Sequence, residues 1–187
     1  MTPYFNCRAP GHYTIKAAIR LAQWDQTVTC TPAHFSIVNG IQVRKLPAVG
    51  VPLPPGVTNA APEIRLYSLE KASLPTGWKL YFRLRDGASG ATLKVFSIGT
   101  FLSFGDPEAR IDRLSNLHVL HQNGARTFSY SVINPRGQIL DRRTYEQVGT
   151  RPVLTADNSG SISVMGGQRL VSPTDIPPQE IGLGAKP

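Results

Sequence analysis

Six residues of this 187-residue chain have types and spacing suited to chemistry. They are His118 and His121, the pair Asp112 and Asn116, and the pair Asp157 and Asn158. Oxygen side chains gathered in short turns are the donors that calcium takes, so the four Asp and Asn residues are the candidate metal ligands and Ca2+ the candidate ion. The plainer role of each Asp is to accept backbone N–H bonds and shape its turn, and no EF-hand or related loop spacing accompanies either pair. His118 or His121 would serve as a general base if it faced a pocket with Asp112 or Asp141. On a helix, His-x-x-His would share one face. On a strand, residues three apart point to opposite sides, so the two cannot hold one ion together without a bulge.

A second set could bind rather than react. Tyr81, Tyr130 and Tyr145 lie in strand-like runs beside Arg83, Arg142 and Arg143. Tyrosine stacks on sugar rings and arginine forks onto oxyanions, so these six are candidate ligand contacts for a small molecule, a saccharide or a protein. Ordinary cross-strand pairing would use the same residues. No nucleophile elbow, phosphate loop, dinucleotide fingerprint or His-Glu-x-x-His is present. Cys7 and Cys30 show no metal spacing and fit either a disulfide or two thiols.

The net charge of +8 attracts anions. The basic residues are scattered without a Lys/Arg run or an aromatic-basic motif, which argues against nucleic acid and for a solvated basic surface. Residues 1–20 hold no apolar run of signal-peptide type, and no stretch has the length of a membrane span.

The elements that must position these groups read as strands. Tyr13, Ile15, Ala17, Ile19 and Leu21 alternate with Thr14, Lys16, Ala18 and Arg20, which predicts a half-buried strand; Val28, Cys30, Phe35 and Ile37 continue the pattern in a partner broken at Pro32. Pro47, Pro52, Pro54, Pro55 and Pro62 interrupt residues 46–62, which predicts a linker or a strap. Beyond it, Trp78, Leu80, Phe82 and Leu84 alternate with Lys79, Tyr81, Arg83 and Arg85. Turn signals follow at Asp86–Gly90, Asn123-Gly124, Asn134–Gly137 and Asp157–Gly160. No window sustains a 3.6-residue period. The predicted class is all-β: a partial module over 1–45, a linker over 46–62, an antiparallel meander over 63–170 and a disordered tail over 171–187. A weak repeat of 45 residues aligns Pro107, Asp112, Leu117 and Val119 with Pro152, Asp157, Ile162 and Val164.

The run Pro-Gly-x-Tyr-x-Ile-x-Ala, a hairpin, then Phe-x-Ile over residues 11–38 resembles the closing strands of bacterial immunoglobulin-like or fibronectin-like modules. The frame Pro-x4-Asp-x4-(Leu/Ile)-x-Val over 63–167 resembles β-propeller blades of secreted bacterial proteins, though the full Asp-box is absent and two or three blades cannot close a ring. These resemblances imply an extracytoplasmic setting, periplasmic or secreted. They lead to a non-catalytic binding or scaffolding module, or to a calcium-dependent hydrolase of lactones or esters in which Asp112, Asn116, Asp157 and Asn158 hold the ion and His118 or His121 acts as base. A third reading, charge-driven polyanion binding, rests on the net charge alone.

Overall fold

A computed structural model describes residues 9–53, 56–57, 61–102 and 105–178. The chain is all-β and every strand pairing is antiparallel. It divides into two compact units, Met1–Gly40 and Ile41–Pro187.

In the first unit, β1 (Gly11–Ile15) and β2 (Ala18–Leu21) run out to a single 3-10 turn at Ala22–Trp24, where Asp25 adopts φ 45°. The chain returns as β3 (Gln26–Thr29), paired with β2, and β4 (Ala33–Ile37), paired with β1. The alternation at Tyr13 to Leu21 thus does produce strands, and Tyr13 stacks on Phe35 with ring centroids 5.2 Å apart. Tyr13, Leu21, Phe35 and Ile37 of the apolar row are half-buried, while Ile15, Ile19 and Val28 are exposed, with Ile19 64% and Val28 54% accessible. A two-stranded ribbon has no second layer to cover either face. Cys30 is exposed and its sulfur accepts from the Ala17 N–H at 3.1 Å; Cys7 lies outside the described residues.

The second unit begins earlier than the proline pattern predicts. β5 (Ile41–Lys45) pairs with β7 (Ile64–Leu74), and so does β6 (Val49–Gly50). Within the predicted linker, Leu46 and Val49 are buried, because their side chains reach the second unit's core while prolines punctuate the backbone around them. β7 pairs with β8 (Gly77–Asp86), and β8 with β9 (Thr92–Thr100), which is the edge of this first sheet. The second sheet has the order β10 (Glu108–Ile111), β11 (Leu117–Gln122), β12 (Thr127–Ile133), β13 (Ile139–Glu146), β16 (Gln168–Leu170). Between β13 and β16 in sequence, β14 (Val153–Ala156) and β15 (Ile162–Met165) form a separate hairpin.

The period of two now explains three layers. Tyr67, Leu69, Leu80, Phe82, Leu84 and Ile98 of the first sheet share one core with Leu117, Val119 and Ile133 of the second. The opposite face of the second sheet carries Leu120, Phe128, Tyr130 and Val132, which pack against Leu154 and Ile162 of the β14–β15 hairpin. β11 and β12 are therefore buried on both faces, which accounts for their nearly unbroken burial.

The 45-residue repeat has a structural counterpart. Glu108 opposes Leu120 and Ile111 opposes Leu117; 45 positions on, Val153 opposes Met165 and Ala156 opposes Ile162. Both segments are hairpins of one register. The Asn123-Gly124 signal yields instead a four-residue connection, Asn123 to Arg126, where Gln122 Nε2 donates to the Gly124 and Ala125 carbonyls at 3.1 and 3.0 Å. Of the predicted tail, residues 171–178 are ordered against the second sheet, and residues 179–187 lie outside the described residues. Arg142 and Ile176 exchange both backbone hydrogen bonds, at 2.9 and 3.0 Å, and Asp175 accepts from Thr144 Oγ1, Arg169 Nη2 and the Ser172 N–H.

Phe82 is fully buried between the sheets, in tilted contact with Tyr67 and Phe96. Phe82→Ala is expected to cost about 3–5 kcal/mol of unfolding free energy through lost transfer energy and a residual cavity. Arg110→Gln, at an exposed position of β10, is expected to stay within about 0.5 kcal/mol. Urea denaturation of both variants checks this, and equal losses would contradict a single shared core.

Candidate functional site

The strand alternation separates the two histidines. His118 points to the face covered by the β14–β15 hairpin. Its Nδ1 lies 2.7 Å from Tyr130 Oη and its Nε2 lies 3.1 Å from Asp112 Oδ2. An ionised Asp112 only accepts, so a neutral His118 donates from Nε2 and accepts the Tyr130 hydroxyl proton at Nδ1. Burial raises the Tyr130 phenol well above its ordinary value, and the Asp141 charge adds to the effect. Tyr130 therefore stays a donor. The chain Tyr130–His118–Asp112 is satisfied at both ring nitrogens.

Asp112 is equally occupied. Its Oδ1 accepts from the Leu114 and Asn116 N–H groups at 2.9 and 2.8 Å, and its Oδ2 accepts from Asn116 Nδ2 at 2.9 Å as well as from His118. Burial pushes this carboxyl up, but the bonds from His118 and Asn116 outweigh it and hold the group below the usual carboxylate range.

One turn recurs three times. Asp112 N–H donates to Asn116 O, Asn134 N–H to Gln138 O and Asp157 N–H to Ser161 O, with the residue before each acceptor in the left-handed region: Ser115 φ 63°, Gly137 φ 69°, Gly160 φ 76°. In each, the side-chain oxygen of the first residue takes the N–H of the residue four on: Asp112 from Asn116, Asn134 from Gln138, Asp157 from Ser161. Asn134 does this without charge. The shared role is therefore to organise the turn, and a negative charge is not required for it.

These facts bear on calcium. Asp112 and Asn116 share one turn while Asp157 and Asn158 share another. The carboxylate oxygens of Asp112 already accept four hydrogen bonds, one of them from Asn116 Nδ2, and the Arg113 side chain lies where a Cβ on Gly160 would fall, 2.8 Å from Nε. An arginine between the two turns opposes a divalent ion. Among the described residues no group of three His, Cys, Asp or Glu side chains is placed to hold a metal.

His121 points the other way, between the two sheets. It is 2% exposed, and its Nε2 lies 3.1 Å from Thr100 O. That contact fixes Nε2 as the donor, so Nδ1 presents a lone pair, which finds no partner among the described residues. Burial lowers its pKa to about 4, with the Arg142 charge acting in the same sense. β9 is shaped around this ring. Gly99 opposes Leu80 and Ser97 opposes Tyr81, so Ile98 is an extra residue and the ladder is bulged there. Gly99 sits at φ 151°, and a Cβ on it would come within 3.3 Å of His121 Nε2. Both the backbone conformation and the close approach favour glycine.

Beside this bulge lies a cleft of about 260 Å3. The first sheet contributes Lys79 and the irregular stretch from Ser97 to Thr100. The second contributes Ser129 and Arg142, with Asn123 from the loop beyond β11, and the ordered C-terminal strap contributes Thr174. Ser129 and Arg142 belong to the inward rows of β12 and β13: His121 opposes Ser129, which opposes Thr144, and Val119 opposes Ser131, which opposes Arg142. The inward face thus turns from apolar at Leu117 and Ile133 to polar at this end. Arg142 Nε and Ser131 Oγ are buried here without partners among the described residues. Burial lowers the Arg142 guanidinium from its ordinary value, and the Asp175 charge partly restores it.

The six Tyr and Arg residues do not converge. Tyr81 and Arg83 belong to the first sheet, where Arg83 forks onto Glu70 at 2.6 and 2.9 Å. Tyr130, Arg143 and Tyr145 lie on the second sheet's hairpin-covered face, where Arg143 pairs with Asp141 at 2.9 Å and Tyr145 meets Tyr130 edge-on and Arg169 over its ring. Arg142 alone reaches the cleft. Sequence reasoning missed Lys79, Ser97, Gly99, Thr100, Asn123, Ser129 and Thr174. The one signal for them was a row of small polar residues, Ser129 and Ser131, in a strand otherwise built for a core. Compared with known proteins, the chain matches no family model, no curated protein and no solved structure.

Two outcomes follow from this geometry. Asp157→Asn is expected to leave the melting midpoint unchanged, as the neutral Asn134 fills the same role. Asp112→Ala, which orphans His118 and Asn116, is expected to cost about 2–3 kcal/mol. Equal losses in the two variants would contradict the assignment. For His121, the unfolded ring binds a proton below pH about 6.5 that the folded ring excludes until about pH 4. Stability therefore falls as the pH drops through that window, by a total of about 3 kcal/mol. Urea melts of wild type and His121→Gln from pH 7 to 4 should show a shallower slope in the variant, and parallel slopes would refute the buried neutral ring.

Proposed function

We propose that the chain is a non-catalytic binding module of the extracytoplasmic type, with the inter-sheet cleft as its binding point. One observation carries the reading: His118 and Asp112, which could do chemistry, are consumed, while Arg142 Nε and Asn123 Oδ1 of the cleft lining are buried without a partner among the described residues. His118 and Asp112 spend their hydrogen-bonding capacity on each other, Tyr130 and the turn. Arg142 Nε and His121 Nδ1 are buried with no partner among the described residues. A buried polar group without a partner costs free energy that a ligand or water recovers on binding. The resemblance of residues 11–38 to modules of bacterial immunoglobulin-like proteins supports the extracytoplasmic setting. The exposed Ile19, Trp24 and Val28 of the first unit suit a scaffolding contact with another protein.

The test pairs turnover with binding. The full chain is incubated with chromogenic esters and lactones, with calcium and with a chelator, and is melted against a panel of small acids, saccharides and peptides. The expected result is no turnover under either condition, together with a ligand-dependent rise in melting temperature that Arg142→Gln removes. Turnover that disappears with chelator and returns with calcium would overturn the proposal in favour of a metal-dependent hydrolase.

A further inference from the structure

We propose that the inter-sheet cleft is an oxyanion site, taking a small phosphate, sulfate or carboxylate group, with Arg142 and Lys79 supplying the charge. This rests on the reading of the cleft as a binding point and adds the chemistry of what enters.

The charge balance points one way. Two cations line the cleft and no carboxylate does. The one acid whose charge acts on Arg142 is Asp175, which is already bonded to Arg169, Thr144 and the Ser172 N–H. Neither Lys79 nor Arg142 makes a side-chain hydrogen bond or ion pair among the described residues, whereas Arg65, Arg83, Arg143 and Arg169 all pair with carboxylates. Arg142 is held in place by its backbone, which exchanges both hydrogen bonds with Ile176 while the residue sits opposite Ser131 of β12. Its guanidinium is thus positioned and partly dehydrated, with the Asp175 charge nearby but no carboxylate bonded to it.

The remaining lining suits the same ligand. Thr100, Ser129 and Thr174 supply hydroxyl groups and Asn123 an amide, all able to bond an oxyanion, while the Ser97 hydroxyl donates to Leu80 O. Liquid water takes about 30 Å3 per molecule, so the cleft holds a small anionic group with a few waters. It falls below the range of about 300–1,000 Å3 usual for drug-sized ligands. The occupant is therefore a small ion or the charged end of a larger molecule.

The experiment is a titration of the full chain with inorganic phosphate, sulfate and acetate against chloride at matched ionic strength, read by calorimetry and thermal melt. Binding over chloride is expected for at least one oxyanion, and comparison of phosphate and sulfate with acetate identifies which group the site prefers. Arg142→Gln and Lys79→Gln are each expected to weaken it by about tenfold to a hundredfold, the usual range for a lost charge-assisted hydrogen bond. Arg110→Gln, a charge change outside the cleft, should leave it intact, and circular dichroism checks that each variant keeps its strands. No preference over chloride, or a preference that survives both cleft variants, would overturn the proposal. If a neutral saccharide or peptide then bound in an Arg142-dependent way, the binding module would stand and only the oxyanion would fall. Calcium-restored turnover would remove the binding module itself.

Discussion

The second unit depends on one constraint: two five-stranded sheets must each bury one face against the other. Tyr67, Leu69, Leu80, Phe82 and Leu84 meet Leu117, Val119 and Ile133, and this apolar contact is where most of the stabilising free energy arises. Because the side-chain period is two, the requirement fixes register along β7, β8, β11 and β12, since a slip by one residue would turn every apolar side chain outward. The hairpin of β14 and β15 then covers the far face of β11 and β12, so these two strands form the middle layer.

The cleft exists where that constraint relaxes. At the end of the inward face, β11 to β13 place His121, Ser129, Ser131, Arg142 and Thr144 in positions that nearer Leu117 hold core residues. Sheet one answers with a bulge at Ile98 and a glycine at 99, which together let its edge strand pass close over the His121 ring. A core would not tolerate such a polar row unless its groups were satisfied. Thr144 is satisfied by Asp175, and His121 by Thr100 at one nitrogen. Arg142 is left without a side-chain hydrogen bond or ion pair among the described residues, its charge only partly offset by Asp175. The strap through Asp175 and Ile176 keeps β13 from ending as an open edge at this point and brings Thr174 to the cleft.

The network of Asp112, His118 and Tyr130 shows how the same residue types serve structure elsewhere in the unit. An Asp–His pair beside a hydroxyl has the composition of a catalytic relay. Here the hydroxyl belongs to a buried tyrosine whose proton is held more tightly than usual, and the carboxylate is shared with a turn. The turn itself is one solution used three times, with Asn134 replacing Asp in the middle instance. Geometry around the side chains, rather than their identity, separates a fastening from a reactive site.

Composition and spacing were enough to establish an all-β chain, the strands at Trp78 to Arg85 and Leu117 to Ile133, the Asx turns at 112, 134 and 157, and the 45-residue offset between two hairpins. These depend on local alternation and on backbone preferences of Asp, Asn and Gly, which act over a few residues. The same alternation placed His118 and His121 on opposite faces. Tertiary structure alone determined that residues 41–50 join the second unit, that 171–178 fasten to β13, and that the Asp112 oxygens are filled. It also assembled the cleft, from Lys79, the 97–100 bulge, Ser129, Arg142 and Thr174. Those positions are distant in the chain, and a bulge of one residue or a two-strand crossing leaves almost no trace in local pattern. Which side chains meet is governed by the register of sheets that must bury their faces together, and that is a property of the whole fold.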